Sequence, residues 1–362
     1  MQHKDVPTRQ EIEALARIRQ EGCVSIYLES GVTPPEADMA RVALKNQLRT
    51  AVEQLELTAA EPSLIEAITG QVHSIEDDRD FWRYQSRSLA LFVNSSMCEV
   101  FRLPNIMTTA CEVSDRFYIK PLLRSVTFPQ SAYVLALSQH SVRLIDISAA
   151  APAVEVPVPG MPSEVGYPTG RLQADEGAKV MMHEFALAIQ HALRPVLANS
   201  TKPLILAAAE PMAGIYRQVS AYPHLAHSVI AGSPELRTNE ELAALARPIL
   251  DELNAAELTS IRDQYNQRFS QGLTVTDLSD VARAATYNAI DTLFVDIDQH
   301  IPGFVNELDG RITLSPQDDA KNYGVVDEIV RRSLLEDARI FAVRAGDVPG
   351  GGPVAASIRF NV

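Results

Sequence analysis

The sequence predicts an α/β protein in three modules, over residues 1–128, 129–272 and 273–362. Length is the first ground, because 362 residues at about 100–200 per domain make two or three domains. Composition is the second. A hydrophobic fraction of 46% supplies more than one core, and 22% charged residues is ordinary for a folded chain. Order is the third. Helical stripes and short β-branched runs follow one another along the chain, and in the last module they alternate, which implies layered α/β domains.

In the first module, Thr8-Arg9-Gln10-Glu11 has the form of a capping box, and Ile12, Leu15 and Ala16 continue it at helical spacing. Cys23 to Leu28 is a strand, broken by Gly31 to Pro35. Leu44, Leu48, Val52 and Leu55 form one helical stripe, and Leu64, Ile65, Ile68, Val72 and Ile75 form a second. Ser88–Val93, Glu99–Leu103 and Thr108–Val113 are further strands. The second module opens with two apolar strands, Tyr133–Ser138 and Val142–Ile147. Only Gln139-His140-Ser141 separates them, so they form a hairpin. Val154–Val158 extends that meander. The loop Pro157–Asp175 then holds four prolines and three glycines, a length that marks a functional or disordered segment. A helix over Gly177–Arg194, a buried strand over Pro203–Ala209 and a helix or turn at Tyr216–Ser220 follow. A helical region spans Asn239–Phe269 and is expected to break at Pro248. The third module runs helix (Asp277–Tyr287), strand (Thr292–Ile297), helix (Val325–Leu335), strand (Arg339–Val343), a Gly/Pro turn and strand (Ala355–Phe360).

Charge narrows the function. The net charge of −14 divides into −4, −4 and −6 over the three modules, so none is basic. Nonspecific nucleic-acid affinity comes mainly from phosphate neutralisation, which argues against DNA as a partner. No apolar run is long enough to cross a bilayer, so no membrane partner is expected. Met1-Gln2-His3-Lys4-Asp5 leads into a polar helix, which is not the pattern of a signal peptide. Cys23, Cys98 and Cys111 are odd in number and far apart, giving neither a disulfide framework nor a metal pair. The cytoplasm is the expected compartment. No feature sets the oligomeric state.

The order of elements in the last two modules resembles the class-one peptide-release factors of eukaryotes and archaea and their relative Pelota. There an apolar hairpin leads through a glycine-rich loop into a long helix, as do Tyr133–Ser138, Val142–Ile147, Pro157–Asp175 and Gly177–Arg194. In the last module Ala282-Arg283-Ala284-Ala285, Leu293-Phe294-Val295, Gly350-Gly351-Gly352 and Ala355-Ala356-Ser357-Ile358-Arg359-Phe360 fit the same relatives. The whole chain is most similar to the bacterial families related to these factors. Phe81-Trp82, Leu89-Ala90-Leu91-Phe92 and Pro121-Leu122-Leu123 support that resemblance. It implies an RNase-H-like middle domain and a C-terminal α/β domain of the kink-turn-binding ribosomal-protein type. It also implies a ribosome or another RNA-bearing partner.

The departure from the family matters as much as the match. Release factors carry Gly-Gly-Gln in the middle-domain loop, where it reaches the peptidyl-tRNA ester. Here the nearest stretch is Gly170-Arg171-Leu172-Gln173, and Leu172 puts a side chain where a glycine would permit unusual backbone angles. The stop-codon-reading Asn-Ile-Lys-Ser is absent as well, and Lys45-Asn46-Gln47 in a helix does not replace it. Within the loop, Gly170, Arg171 and Gln173 are the candidate binding residues.

Other motifs have plainer readings. His183-Glu184 and His191 share a helix, but Leu187 occupies the second histidine position of H-E-x-x-H. Asp296, Asp298, Glu307 and Asp309 lack the glycine offsets of a cation loop, so a solvated rim is expected. Gly350-Gly351-Gly352 precedes a strand, whereas a phosphate cradle opens onto a helix. Asp146, at a strand end, would need a second carboxylate such as Asp175 or Glu210. No catalytic residue, cofactor or metal site is assigned. The expectation is a release-factor-like binding factor acting in translation or ribosome rescue without the hydrolysis motif. The alternatives are a carboxylate-dependent hydrolase and a stress-related scaffold with inherited release-factor architecture.

Overall fold

The structure is a computed structural model that describes residues 6–31, 33–83, 85–127, 131–148, 152–165, 174–198, 200–315 and 323–361. Contacts group the chain into two compact units, Met1–Pro129 with Thr259–Val362, and Gln130–Leu258. The architecture is mixed α/β throughout, as the order of sequence patterns implied. Among the described residues no helix is long and apolar enough to cross a membrane.

The first stretch of the larger unit holds α1 (Arg9–Arg17), β1 (Cys23–Glu29), α2 (Pro34–Leu57), α3 (Pro62–Glu76), α4 (Arg79–Arg83), β2 (Ser88–Val93), β3 (Cys98–Leu103), β4 (Ala110–Ser114) and α5 (Lys120–Thr127). The expected capping box forms, with Thr8 and Glu11 satisfying each other's backbone donors. The strands make an antiparallel sheet in the order β3-β2-β1-β4. Alternate residues of β1 face opposite sides. Val24, Ile26 and Leu28 meet Leu44, Leu48, Ile68 and Val72 of α2 and α3. Cys23 and Tyr27 enter a second core on the other face. Burial on both faces is why β1 and β2 read as continuous apolar runs.

The smaller unit holds β5 (Ser131–Leu137), β6 (Val142–Ser148), β7 (Val154–Val156), α6 (Ala174–Leu197), β8 (Leu204–Ala208), α7 (Met212–Val219), β9 (Leu225–Ala231) and the first part of α8 (Asn239–Ser270). The predicted hairpin is present, with Leu137 paired to Val142 at its tip and Tyr133 paired to Asp146 further along. The sheet order is β7-β6-β5-β8-β9. Strands β5, β6 and β7 run antiparallel, while β8 and β9 run parallel to β5. That arrangement is consistent with the RNase-H-like middle domain implied by the resemblance. Phe185, Ile189 and Leu193 of α6 cover one face, and Leu242, Ala246 and Leu250 of α8 cover the other.

Helix α8 does not break at Pro248, contrary to the expectation from proline sterics. A helical proline forfeits its own backbone donor and crowds the preceding turn. Here Leu242, Ala246, Ile249 and Leu250, all buried against the sheet, hold the helix through that point. The boundary between the two units falls inside this helix, between Leu258 and Thr259.

The rest of the larger unit holds β10 (Thr274–Val275), α9 (Leu278–Thr286), β11 (Ile290–Asp296), β12 (Gly303–Val305), β13 (Ile312–Leu314), α10 (Val325–Leu335), β14 (Arg339–Val343) and β15 (Val354–Ile358). Four strands form a sheet in the order β10-β15-β11-β14, and β12 and β13 form a separate hairpin. The apolar face of this sheet, with Val281, Ile329 and Leu334 from α9 and α10, joins Tyr27, Phe92, Phe117 and Leu122 in a single core. The first and last stretches of the chain therefore fold together.

Arg143 fixes one loop of the smaller unit. Its guanidinium donates to the carbonyls of Pro234 and Arg237, at 2.9 Å each, and to Asn239 Oδ1 at 3.0 Å. Those groups flank the turn closed by the Arg237 amide on the Pro234 carbonyl. Arg143→Ala should destabilise the protein by about 1–3 kcal/mol, the range for losing hydrogen bonds to a charged donor. Amide exchange over residues 232–238 should rise with it. Unchanged exchange there would refute the clamp.

Candidate functional site

The loop that follows β7 leaves the hairpin end of the middle sheet. The Val165 amide donates to the Gln139 carbonyl at 2.8 Å, and the Met161 amide donates to the Val158 carbonyl. Val158, Met161 and Val165 pack against the core beneath α6 and α7. The first half of the loop is thus pinned to the sheet. Gly170, Arg171 and Gln173 lie outside the described residues.

Asp146 is placed and partnered differently from a catalytic carboxylate. Lys202 Nζ lies 2.8 Å from both of its oxygens and 5.0 Å from the centre of the Tyr133 ring. Because Asp146 pairs with Tyr133, near the start of β5, it stands at the opposite end of that strand from the hairpin tip. Asp146 is four positions along the strand from Val142 at the tip, about 13 Å. Glu210 accepts from the Gly214 amide of its own turn, and the side chain of Asp175 lies outside the described residues. Asp146 and Glu210 are not brought together, since they stand at opposite ends of the paired strands β5, β6 and β8.

The remaining candidates are each accounted for locally. His183, Glu184 and His191 are exposed on α6. Asp296 accepts from the Asp298 amide, Glu307 pairs with Arg19, and Asp309 accepts from the Arg311 amide. Gly350-Gly351-Gly352 lies in a short 3-10 turn before β15. Among the described residues no group of three or more His, Cys, Asp or Glu could hold a metal ion.

A cavity of about 700 Å³ lies in the other unit. Its walls include Arg19, Leu64, Asp115, Arg116, Phe304 and Glu328. The charged groups form one network. Glu328, 4% exposed, receives Arg116 at 2.5 Å, Arg331 at 2.9 Å and Arg332 at 2.7 Å. Arg116 also pairs with Asp115 at 2.7 Å, and Arg19 joins Asp115 to Glu307. The Tyr323 ring lies 4.8 Å from the Arg116 guanidinium, and its hydroxyl donates to the Phe117 carbonyl. Beside the network, Asp327 is fully buried, with His300 Nδ1 3.6 Å from its Oδ2. Gly324, at φ 102°, begins α10 here, and a Cβ on it would come within 2.8 Å of that same oxygen. Sequence patterns alone do not single out these residues. Glu328, Arg331 and Arg332 are the available signal, since spacings of three and four align on a helix face.

Residues 129–256 match the family described as bacterial archaeo-eukaryotic release factor family 11. That stretch of the chain is therefore related to the archaeo-eukaryotic release factors, as the order of motifs implied. Solved structures similar to the chain include Archaeoglobus fulgidus Pelota, at 13% identity over 99% of this chain and 94% of that one, with a TM-score of 0.37. Another is Saccharomyces cerevisiae Dom34, a translation termination-like factor, at 10% identity over 75% and 74%, with a TM-score of 0.42. A third is an archaeal translation termination factor, at 14% identity over 98% and 99%, with a TM-score of 0.27. No curated protein matches the chain.

The cavity network holds charge and does not trade protons near neutral pH. Burial alone would raise the Glu328 carboxyl, but hydrogen bonds and charge from Arg331, Arg116 and Arg332 hold it at about 2. Asp115 is likewise held at about 2, against its own burial, by Arg116 and Arg19. Burial pushes all three cysteine thiols up to about 12, so none is a ready nucleophile. A carboxyl whose pKa falls on folding adds stability above its unfolded value, here 4.5, and loses it as pH drops toward 2. Glu328→Gln should cost about 3–5 kcal/mol at neutral pH, because three guanidinium groups lose a buried partner. Urea unfolding measured from neutral to acid should show the gap from wild type narrowing below pH 4.5. A gap that does not change with pH would rule out the ionised clamp.

Proposed function

We propose, from the relation of residues 129–256 to the archaeo-eukaryotic release factors, that this protein acts in translation or ribosome rescue as a binding factor. The family match is the observation that carries this reading. The pinned base of the Pro157–Val165 loop supports it, because a fixed base presents the residues after it to a partner. Gly170, Arg171 and Gln173 are the proposed contact residues, and the partner is the ribosome or an RNA-bearing component of it. Peptidyl-tRNA hydrolysis is not part of the reading. Leu172 stands where the reacting motif needs a glycine, and a side chain there obstructs close backbone approach.

The stretches 1–128, 129–272 and 273–362 are proposed as modules of descent, the middle one RNase-H-like and the last of the kink-turn-binding ribosomal-protein type. A hydrolase centred on Asp146 is disfavoured, since Lys202 neutralises that carboxylate and the loop leaves the other end of the sheet.

Sedimentation of cell extracts at moderate salt tests the reading. The protein should travel with ribosomal fractions from growing or stressed cells, and Arg171→Ala should weaken that association. Peptidyl-tRNA incubated with ribosomes and the protein should release no peptide above background. Absence from ribosomal fractions under both growth conditions would overturn the proposal.

A further inference from the structure

A second cavity, about 270 Å³, lies between the tail of α8 and the outer face of the β10-β15-β11-β14 sheet. Its floor is set by strand register. Thr274 of β10 pairs with Ser357 of β15, Ser357 with Thr292 of β11, and Thr292 with Arg339 of β14. Directly paired residues project to the same face, so three hydroxyls and a guanidinium form one continuous polar row. The neighbouring row on that face, Ala355, Phe294 and Phe341, is apolar. A register shift between Ile290 and Thr292 interrupts β11 at this point, and Asp291 joins the cavity wall. Such irregularities re-aim side chains beside sites.

The roof is the last part of α8. Gln264, Tyr265, Gln267, Arg268 and Gln271 line it. That segment is firmly seated. The Tyr265 ring meets Phe294 edge-on at 5.7 Å, and Arg262 bonds the Gly346 carbonyl and the Asp347 carboxylate. The floor is organised as well. Arg339 donates to Thr292 Oγ1 at 3.1 Å and to Gln264 Oε1 at 3.3 Å, with Asp291 3.9 Å away.

One donor in this organised setting is left over. The Tyr265 hydroxyl is not it, because that oxygen is fully enclosed beside Thr274 and does not open onto the cavity. Arg268 is half-buried, and its guanidinium has no ion pair or hydrogen bond among the described residues. Arg268 and Arg339 face a single carboxylate, Asp291, so the cavity carries one net positive charge. It is rich in donors and lies below the roughly 300–1,000 Å³ of whole-ligand pockets. Convergent guanidinium and hydroxyl donors are the chemistry of oxyanion recognition.

We propose that this cavity binds a phosphate group. Arg268 meets its oxygens from the roof, and Ser357 and Arg339 meet them from the floor. Asp291 is a positioning residue that holds Arg339. The volume fits one phosphate, either free or at the end of a larger molecule. This site is independent of the translation reading, and failure to bind ribosomes would leave it standing.

The test uses the full chain, with inorganic phosphate as the probe. Thermal unfolding and phosphorus NMR are recorded during titration, against potassium chloride at matched ionic strength. Phosphate should raise the unfolding temperature and broaden the phosphorus signal, and chloride should do neither. Arg268→Ala should weaken the response roughly tenfold or more, the loss expected for a charge-assisted bond. Adenosine 5′-monophosphate and adenosine distinguish the source. Tighter binding of the monophosphate alone assigns the phosphate to a nucleotide, and equal binding with inorganic phosphate assigns it to the free ion. No phosphate response beyond chloride, an undiminished response in Arg268→Ala, or equal binding of adenosine and its monophosphate would overturn the proposal.

Discussion

The larger unit depends on one buried carboxylate. Glu328 takes three guanidinium groups, of which Arg331 and Arg332 come from its own helix and Arg116 from the turn after β4, 212 residues away. Removing a carboxylate from water costs several kcal/mol, and only close, well-aligned partners recover it. The geometry of all three is therefore constrained at once. Arg332 extends the constraint to the carbonyls of Val305 and Asn306 and to the Thr286 hydroxyl, which fixes the β12-β13 hairpin and the end of α9. Arg116 extends it through Asp115 to Arg19 and Glu307. An apolar core can join two stretches of chain, but it does so without direction. This network sets their register, and with it the walls of the 700 Å³ cavity.

Local signals carry much of the fold. The Val325–Leu335 helix and the Arg339–Val343 strand fall at their expected bounds because an amphipathic stripe and a β-branched run identify them without help from the rest of the chain. The Tyr133–Ile147 hairpin is legible because only three residues could close it. Strand β9 escapes sequence patterning because Leu225–Ala231 carries His227 and Ser228 in its middle, and its face is only partly buried. The β12-β13 hairpin escapes it because its strands are three residues long and turn Phe304 and Leu314 outward. Pro248 misleads, since propensity counts the lost bond and not the buried leucines around it.

The sites are less legible than the fold, for a physical reason. Thr274, Thr292, Arg339 and Ser357 are four unremarkable residues until strand register sets them side by side. Nothing in the sequence encodes that register directly. Arg116 and Glu328 have the same difficulty, although the local triplet of Glu328, Arg331 and Arg332 announces half of the arrangement. The loop with Gly170, Arg171 and Gln173 is the reverse case. Its length and composition stand out, while its meaning comes from resemblance to a family and not from any local chemistry.

These differences bear on whether the protein reacts with its partners or holds them. A general acid or base must gain or lose a proton near the working pH. The ionisable groups best placed around the 700 Å³ cavity are locked in their charged forms by their neighbours. In the middle unit, Asp146 is paired with Lys202, at the end of the sheet remote from the loop. Each of these features suits recognition, which rewards fixed charge and fixed shape.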